Sequence, residues 1–105
     1  MKKFYNIEGL IRSGFQLSRD YHALDFTYAR FGDDAVQEMA KSRSIKQLRR
    51  LTINGKKLTV LSARALAESD KLPNLESLKL YKNKIGDEGI KYLAESDKLP
   101  NLKSL

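Results

Sequence analysis

The chain has 105 residues, in which 20 lysines and arginines face 13 acidic residues, giving a formal net charge of +7. This length predicts one domain, and a composition of 41% hydrophobic and 31% charged residues favours a soluble globular protein over a disordered one. The absence of cysteine excludes disulfides, cysteine-ligated zinc, iron–sulfur clusters and thiol nucleophiles, and a single histidine, His22, leaves little material for a catalytic triad or a histidine-rich metal site. We therefore predict a protein that binds and is not an enzyme, without cofactor or metal.

Residues 1–20 are the first predicted element, and they lie outside the repeat that fills the rest of the chain. Ile7, Leu10 and Ile11 fall at helical spacing. We predict a helix that caps the repeat, because the first unit of a repeat stack needs its open core covered. An aromatic ligand pocket is the alternative, since seven of the nine aromatic residues lie in the first 31 positions. These seven are Phe4, Tyr5, Phe15, Tyr21, Phe26, Tyr28 and Phe31.

The N-terminal segment does not resemble a targeting signal. Polar residues such as Asn6, Glu8 and Arg12 interrupt the apolar stretch of roughly 7–15 residues that a signal peptide needs. No apolar run approaches the roughly 20 residues that span a bilayer. We predict a cytoplasmic chain without a membrane span, and export by a route that needs no N-terminal signal stays open.

The rest of the chain repeats itself every 27 residues. Residues 66–75 recur letter for letter as residues 93–102, and weaker copies without insertions extend back to residue 21. The main columns are Leu24, Leu51, Leu78 and Leu105; Phe26, Ile53 and Leu80; Met39, Leu66 and Leu93; and Ser42, Ser69 and Ser96. We divide the chain into an N-terminal cap, residues 1–20, and a repeat domain, residues 21–105. The domain holds units 21–47, 48–74 and 75–101 and the start of a fourth, 102–105.

Each unit predicts a strand, a turn and a helix. In the third unit the alternation at the end of residues 75–80 favours a strand, Asn83 and Gly86 favour a turn, and Pro100 ends the unit. Apolar residues then recur at helical spacing in every unit. They are Val36, Met39 and Ala40; Ala63, Leu66 and Ala67; and Ile90, Leu93 and Ala94.

Paired carboxylates stand at the predicted helix starts of two units, as Asp33-Asp34 and Asp87-Glu88. Their matching repeat positions favour capping and compensation of the helix dipole over acid–base catalysis or calcium binding. We predict Asp87 as the N-cap of its helix.

The spacing of Leu75, Leu78, Leu80, Asn83 and Ile85 resembles the leucine-rich repeat signature, and Gly86-Asp87-Glu88-Gly89-Ile90 resembles its ribonuclease-inhibitor-like subtype, here with bacterial-type 27-residue repeats. The resemblance implies an α/β fold, a right-handed solenoid with a parallel sheet on the concave face and helices on the convex face. The column of Asn83 reads Ala29 and Lys56 in the other units, so one unit keeps the consensus residue.

Strand residues between the core leucines are expected to point outward from the concave face. They mix charge, hydroxyl, amide and phenol without a catalytic dyad, so we interpret the face as a recognition surface for a protein partner. Tyr81, flanked by Lys79 and Lys82, is the strongest candidate contact. The alternative is an ordinary solvated face. The predicted partner-binding residues are Arg50, Thr52, Asn54, Ser77, Lys79, Tyr81 and Lys82.

Two other functions stay open. Unit 48–74 holds six basic and two acidic residues, an excess that could attract nucleic acid, an anionic membrane or an acidic protein partner. No RNP motif, helix-turn-helix signature or zinc module is present, so a nucleic-acid partner is disfavoured. The chain could instead be a structural part of a longer repeat array. The fourth unit stops at Leu105 before any helix, and we predict an exposed edge there through which copies self-associate.

Overall fold

A computed structural model of the chain describes residues 6–27 and 29–105. Residues 1–5 of the predicted cap and Tyr28 lie outside the described residues. The described part forms helices that alternate with short strands after a first helix. In chain order the elements are α1 (Ile7–Ser18), β1 (Ala23–Asp25), α2 (Asp33–Met39), a 3-10 helix (Arg43–Ile45), β2 (Arg50–Thr52), α3 (Val60–Glu68), β3 (Ser77–Lys79) and α4 (Gly86–Ala94).

The three strands form one parallel sheet in the order β1-β2-β3. Leu24 pairs with Leu51 and Leu51 with Leu78, so neighbouring strands are offset by the 27 residues of the repeat. An isolated parallel bridge between Ser77 and Ser104 continues the same offset. The predicted α/β combination of helices and a parallel sheet is confirmed.

The core lies between the sheet and the helices. Leu24, Leu51 and Leu78 are at most 1% exposed, and the apolar stripes of α2 and α3 are buried against them. The rings of Phe26 and Phe31 stack at 4.2 Å between centroids inside this core. Burial of these side chains is the main stabilising contribution, at about 1.5–3 kcal/mol for each large side chain.

A column of serines links each layer of the fold to the layer before it. Ser69 Oγ donates to the carbonyl oxygen of Ala40, and Ser96 Oγ donates to that of Ala67, both at 2.5 Å. At the first position of this column, Ser42 Oγ donates to Glu8 Oε2 of α1 at 2.7 Å. The carboxylate of Glu8 in α1 therefore accepts the hydrogen bond that, in the later units, a backbone carbonyl of the preceding unit accepts.

The N-terminal helix packs against β1 and α2. Ile11 is buried in the common core, with Ile7, Leu10 and Phe15 partly buried beside it. The hydroxyl of Ser44, and then that of Ser42, lower the pKa of Glu8, which favours the ionised carboxylate that links α1 to the 3-10 helix and its N-cap.

The prediction that Asp87 caps its helix is wrong. Helix α4 begins at Gly86, whose φ of +74° needs a residue without a Cβ, and the N-cap residue Ile85 makes no side-chain cap hydrogen bond. Asp87 lies inside the first turn, where its charge still suits the helix dipole. Asp33 likewise lies inside the first turn of α2, after the uncapped Gly32.

Two repeat columns lose their burial at their last member. Ile90 is 45% exposed and Leu105 is 43% exposed, whereas the equivalent Ala63 and Leu78 are fully buried. Ile90 and Leu105 therefore expose apolar surface at this end of the described residues, which we call the open C-terminal edge.

None of the helices in residues 6–27 and 29–105 combines the length and apolar character needed to cross a lipid bilayer. Over the same residues, no group of three or more histidine or acidic side chains is placed to hold a metal ion.

Candidate functional site

The candidate site is the outer face of the sheet, on the side opposite the helices. Because side chains alternate along a strand, the residues on either side of a buried leucine point away from the core. We call this surface the strand face, and its register aligns two rows of side chains. The rows are Ala23, Arg50, Ser77 and Ser104; and Asp25, Thr52 and Lys79.

At the end of the strand face formed by β1 and β2, which we call its N-terminal end, Arg50 forms an ion pair with Asp20. Its Nη2 contacts Asp20 Oδ2, and the other carboxylate oxygen of Asp20 accepts a hydrogen bond from the backbone N–H of His22 at 2.9 Å. The His22 N–H, helped by the charge of Arg50, keeps the pKa of Asp20 below its usual value. The positive charge of Arg50 is thus compensated within the protein.

At the C-terminal end, the basic residues have no such partner. Lys79 and Lys82 are exposed, and neither forms an ion pair with any residue that the structure describes. Tyr81 lies between them with 60% of its surface exposed. We call Lys79, Tyr81 and Lys82 the basic tyrosine patch.

The backbone of the basic tyrosine patch is fixed by its neighbours. The N–H of Tyr81 donates to Asn54 Oδ1 at 2.8 Å, and the carbonyl of Tyr81 accepts from the N–H of Gly55 at 2.9 Å. Asn83 Nδ2 also donates to that carbonyl at 3.3 Å. The exposed phenol is therefore presented on a turn that the preceding unit holds in place.

Lys82 has an unusual backbone conformation. Its φ is +58°, in the left-handed region that residues with a Cβ adopt at an energetic cost of about 1 kcal/mol. The equivalent residue of the preceding unit is Gly55, with a φ of +67°. The same turn thus carries glycine in one unit and lysine in the next.

The seven predicted partner-binding residues lie together on β2, β3 and the turns that follow these strands. Their roles differ. Arg50 forms an ion pair with Asp20, and the amide oxygen of Asn54 accepts a hydrogen bond from the backbone N–H of Tyr81. Thr52 and Ser77 are half-buried. The basic tyrosine patch holds the side chains that stay free to contact a partner.

Two structural roles were missed from the sequence. Asp20 lies outside the repeat, so no column indicated that it would reach Arg50. Asp33, interpreted as a cap of its own helix, accepts hydrogen bonds from Thr59 and Ser62 of the next helix. The matching of Lys82 with Gly55 was visible in the repeat and could have indicated the left-handed turn.

The helix side of the molecule differs from the strand face. A groove of about 550 Å³ runs between α3 and α4 and is lined by acidic and basic side chains together. On the same side Arg64 Nε lies 3.1 Å from Glu68 Oε2, and Lys71 Nζ lies 3.3 Å from Asp70 Oδ1. Charges of both signs thus meet on the described part of this side, whereas the charges of the basic tyrosine patch are all positive.

The family model described as Leucine Rich repeat matches residues 71–94. This match supports a leucine-rich repeat protein. The matched residues include β3, the basic tyrosine patch and α4, so the family pattern and the candidate site overlap. No curated protein matches the chain. The ribonuclease-inhibitor-like subtype and the bacterial type of the repeat stay predictions.

Proposed function

We propose that the protein is a non-catalytic binding module that presents its concave strand face to a protein partner. Leucine-rich repeats commonly mediate protein–protein interaction. The observation that carries the proposal is the basic tyrosine patch, in which an exposed phenol on a fixed turn is flanked in sequence by Lys79 and Lys82, neither of which forms an ion pair with a described residue. A rigid surface binds with less loss of conformational freedom than a flexible one.

The architecture that supports this function is a right-handed solenoid with α1 as its N-terminal cap. In this proposal residues 1–20 form the cap and residues 21–105 the repeat domain. The contact between Glu8 and Ser42 supports the role of α1, because it replaces the carbonyl contact that Ser69 and Ser96 make with their preceding units. The predicted cytoplasmic location stays a prediction.

The proposal is tested by photo-crosslinking. A photoreactive amino acid replaces Thr52 on the strand face in one variant and Arg64 on the outer side of α3 in the other. In extracts of the source organism we expect a discrete protein adduct from Thr52 that disappears when Tyr81→Ala is added. Adducts that form equally from Arg64, or that survive Tyr81→Ala, would contradict binding through the strand face.

The open C-terminal edge supports a second candidate function, self-association. Ile90 and Leu105 are the exposed members of columns that are otherwise buried, and covering them removes apolar surface from water. The same surface would carry further units in a longer array. Light scattering of residues 1–105 distinguishes self-association from a longer array. Self-association predicts a molar mass that rises with protein concentration in wild type and equals that of the monomer in Ile90→Lys. A constant monomer mass in wild type argues against self-association.

A further inference from the structure

We infer that the partner engages the basic tyrosine patch with an acidic segment, whose carboxylates pair with Lys79 and Lys82 while its flanking side chains pack on Tyr81. The inference rests on the proposed function, because it names the chemistry of the partner that the strand face contacts. It specifies that the contacting segment of the partner is negatively charged and that it binds at the basic tyrosine patch.

The first argument is the uneven distribution of charge along the strand face. At the N-terminal end Arg50 is paired with Asp20, and Asp25 is exposed with one carboxylate oxygen holding the N–H of Thr27. At the C-terminal end Lys79 and Lys82 have no ion pair within the described residues. Complementary charge raises the association rate and selects against wrong partners, so the unpaired end favours an acidic group.

The second argument is the strain at Lys82. Glycine is the residue that adopts this backbone conformation without strain, and the preceding unit has Gly55 at the equivalent position. A lysine at this turn therefore lowers the free energy of unfolding relative to glycine. It also places a charged side chain next to Tyr81. Arg19, Lys57 and Lys82 share a positive φ, and of these three it is Lys82 that adjoins Tyr81 and carries a charge of the basic tyrosine patch.

The third argument is the way in which Tyr81 is presented. Its backbone N–H and carbonyl are both hydrogen-bonded to the preceding unit, while its side chain is 60% exposed. Tyrosine gives a large contact area and loses little conformational freedom on binding, which makes it a frequent anchor of protein interfaces.

A short acidic segment of a protein fits this surface better than a nucleic acid does. The phosphate backbone of a nucleic acid is contacted by lysines and arginines distributed along its path. On the strand face Asp20 and Asp25 interrupt such a path at the N-terminal end. In the two rows of the strand face, Lys79 is the basic residue that forms no ion pair with a described residue, and Lys82 adds a second charge close to it in sequence, which suits a local contact.

The test measures binding of short fluorescent probes to the whole chain by fluorescence anisotropy. The probes are a peptide of alternating glutamate and leucine, the same peptide with lysine in place of glutamate, and oligouridine. We expect binding of the acidic peptide, weakened about tenfold by Lys79→Ala with Lys82→Ala. The control replaces Lys41 and Lys91 on the helix side, which removes the same charge, and we expect a loss below about twofold.

The outcomes separate the inference from the proposed function. Equal losses in the two double variants, or tighter binding of oligouridine than of the acidic peptide, would overturn the acidic-segment inference. If the acidic peptide fails to bind while the Thr52 crosslink to a protein persists, the inference fails and the proposed function stands. If both fail, the proposed function fails as well.

A further variant tests whether Lys82 is retained for binding. Lys82→Gly relieves the left-handed strain, so we expect a melting temperature about 2–5 °C higher together with about threefold weaker binding of the acidic peptide. Lys57 has a similar φ of +58° on the turn that leads to α3. Lys57→Gly should raise the melting temperature and leave binding unchanged. Unchanged binding in Lys82→Gly would exclude Lys82 from the contact.

Discussion

The two junctions between neighbouring layers of this fold share one strand register but are held by different polar groups. The first junction joins β1 and α2 to β2 and α3, and the second joins β2 and α3 to β3 and α4. In the first the main polar contact lies between helices, and in the second it lies between turns. The leucine columns therefore fix the offset of the strands, and each junction adds its own polar contact.

At the first junction Asp33 of α2 holds the start of α3. Its carboxylate accepts hydrogen bonds from the backbone N–H of Thr59 at 3.0 Å, from Thr59 Oγ1 at 2.7 Å and from Ser62 Oγ at 2.5 Å. Ser62 is fully buried, so its hydroxyl depends on Asp33 for its partner.

At the second junction the equivalent positions are Val60, Gly86 and Gly89, which cannot form these hydrogen bonds. Helices α3 and α4 instead approach closely at Gly89 and Ala63, where an added Cβ on the glycine would lie 3.1 Å from the alanine methyl. The polar contact moves to the turns, through Asn83.

Asn83 binds three backbone groups of the preceding turn. Its Oδ1 accepts from the N–H of Lys56 at 2.9 Å and of Leu58 at 3.0 Å, and its Nδ2 donates to the carbonyl of Ile53 at 2.6 Å. The same Nδ2 reaches the carbonyl of Tyr81. The second junction thus also fixes the basic tyrosine patch, which connects the packing of the repeat to the proposed binding surface.

The largest effect is expected from Asn83→Ala. The substitution leaves two backbone N–H groups and one carbonyl without their partner, and we expect a loss of about 3 kcal/mol in the free energy of unfolding. Urea denaturation measures it. The matched control is Lys56→Ala, at the same column of the preceding unit, which should change stability by less than about 0.5 kcal/mol. A loss below that of the control would show that the turn contact does not hold the second junction.

A smaller loss of about 2 kcal/mol is expected from Asp33→Ala, because the hydroxyl of Ser62 is left buried without an acceptor. The control is Asp34→Ala, since Asp34 is exposed and accepts one hydrogen bond from its own neighbour, Ala35. Urea denaturation should separate the two variants by more than about 1 kcal/mol. Equal losses would mean that Asp33 acts only through the helix dipole.

The first junction should also respond to acid. Burial raises the pKa of Asp33, but the hydrogen bonds from Ser62 and Thr59 lower it more, so it lies below its usual value. The stabilisation from Asp33 is therefore fully present above the unfolded-state pKa of about 3.9 and is lost as the pH falls through the lower folded-state pKa. Thermal denaturation between pH 7 and pH 2 should show a stability difference between wild type and Asp33→Asn that shrinks at acid pH. A difference that stays constant would exclude the ionised carboxylate as its cause.

The smallest effect is expected from Gly89→Ala at the close approach of α3 and α4. An added Cβ would lie 2.3 Å from Cγ2 of Ile85, so the helix must shift, and the cost of overpacking exceeds the gain in helix propensity by about 1 kcal/mol. The control is Gly9→Ala in α1, where the nearest side-chain atom to the new Cβ is 3.7 Å away. That variant should be more stable than wild type in thermal denaturation. A stabilised Gly89→Ala would contradict the tight helix contact.

The repeat period predicted much of this fold. The 27-residue offset predicted the pairing of Leu24, Leu51 and Leu78, and the apolar stripes predicted which faces of α2 and α3 are buried. These features depend on local spacing and on burial, which every unit repeats.

The polar contacts could not be predicted in the same way, because each occurs once. Asp33 meets hydroxyl groups in the second unit that the third unit replaces with glycine, and Asp20 reaches Arg50 from outside the repeat. The prediction of Asp87 as the N-cap was also wrong. Gly86 is itself helical, and Ile85 occupies the N-cap position. Tyr81 and its flanking lysines were named from the sequence, and their binding role stays a prediction.

The most direct measurement is the crosslinking yield from Thr52 compared with that from Arg64 in the same extract. Binding through the strand face predicts a discrete protein adduct from Thr52, none from Arg64, and loss of the adduct when Tyr81 is replaced by alanine. An adduct from Arg64 with none from Thr52 would place the binding surface on the helices and contradict the proposed function.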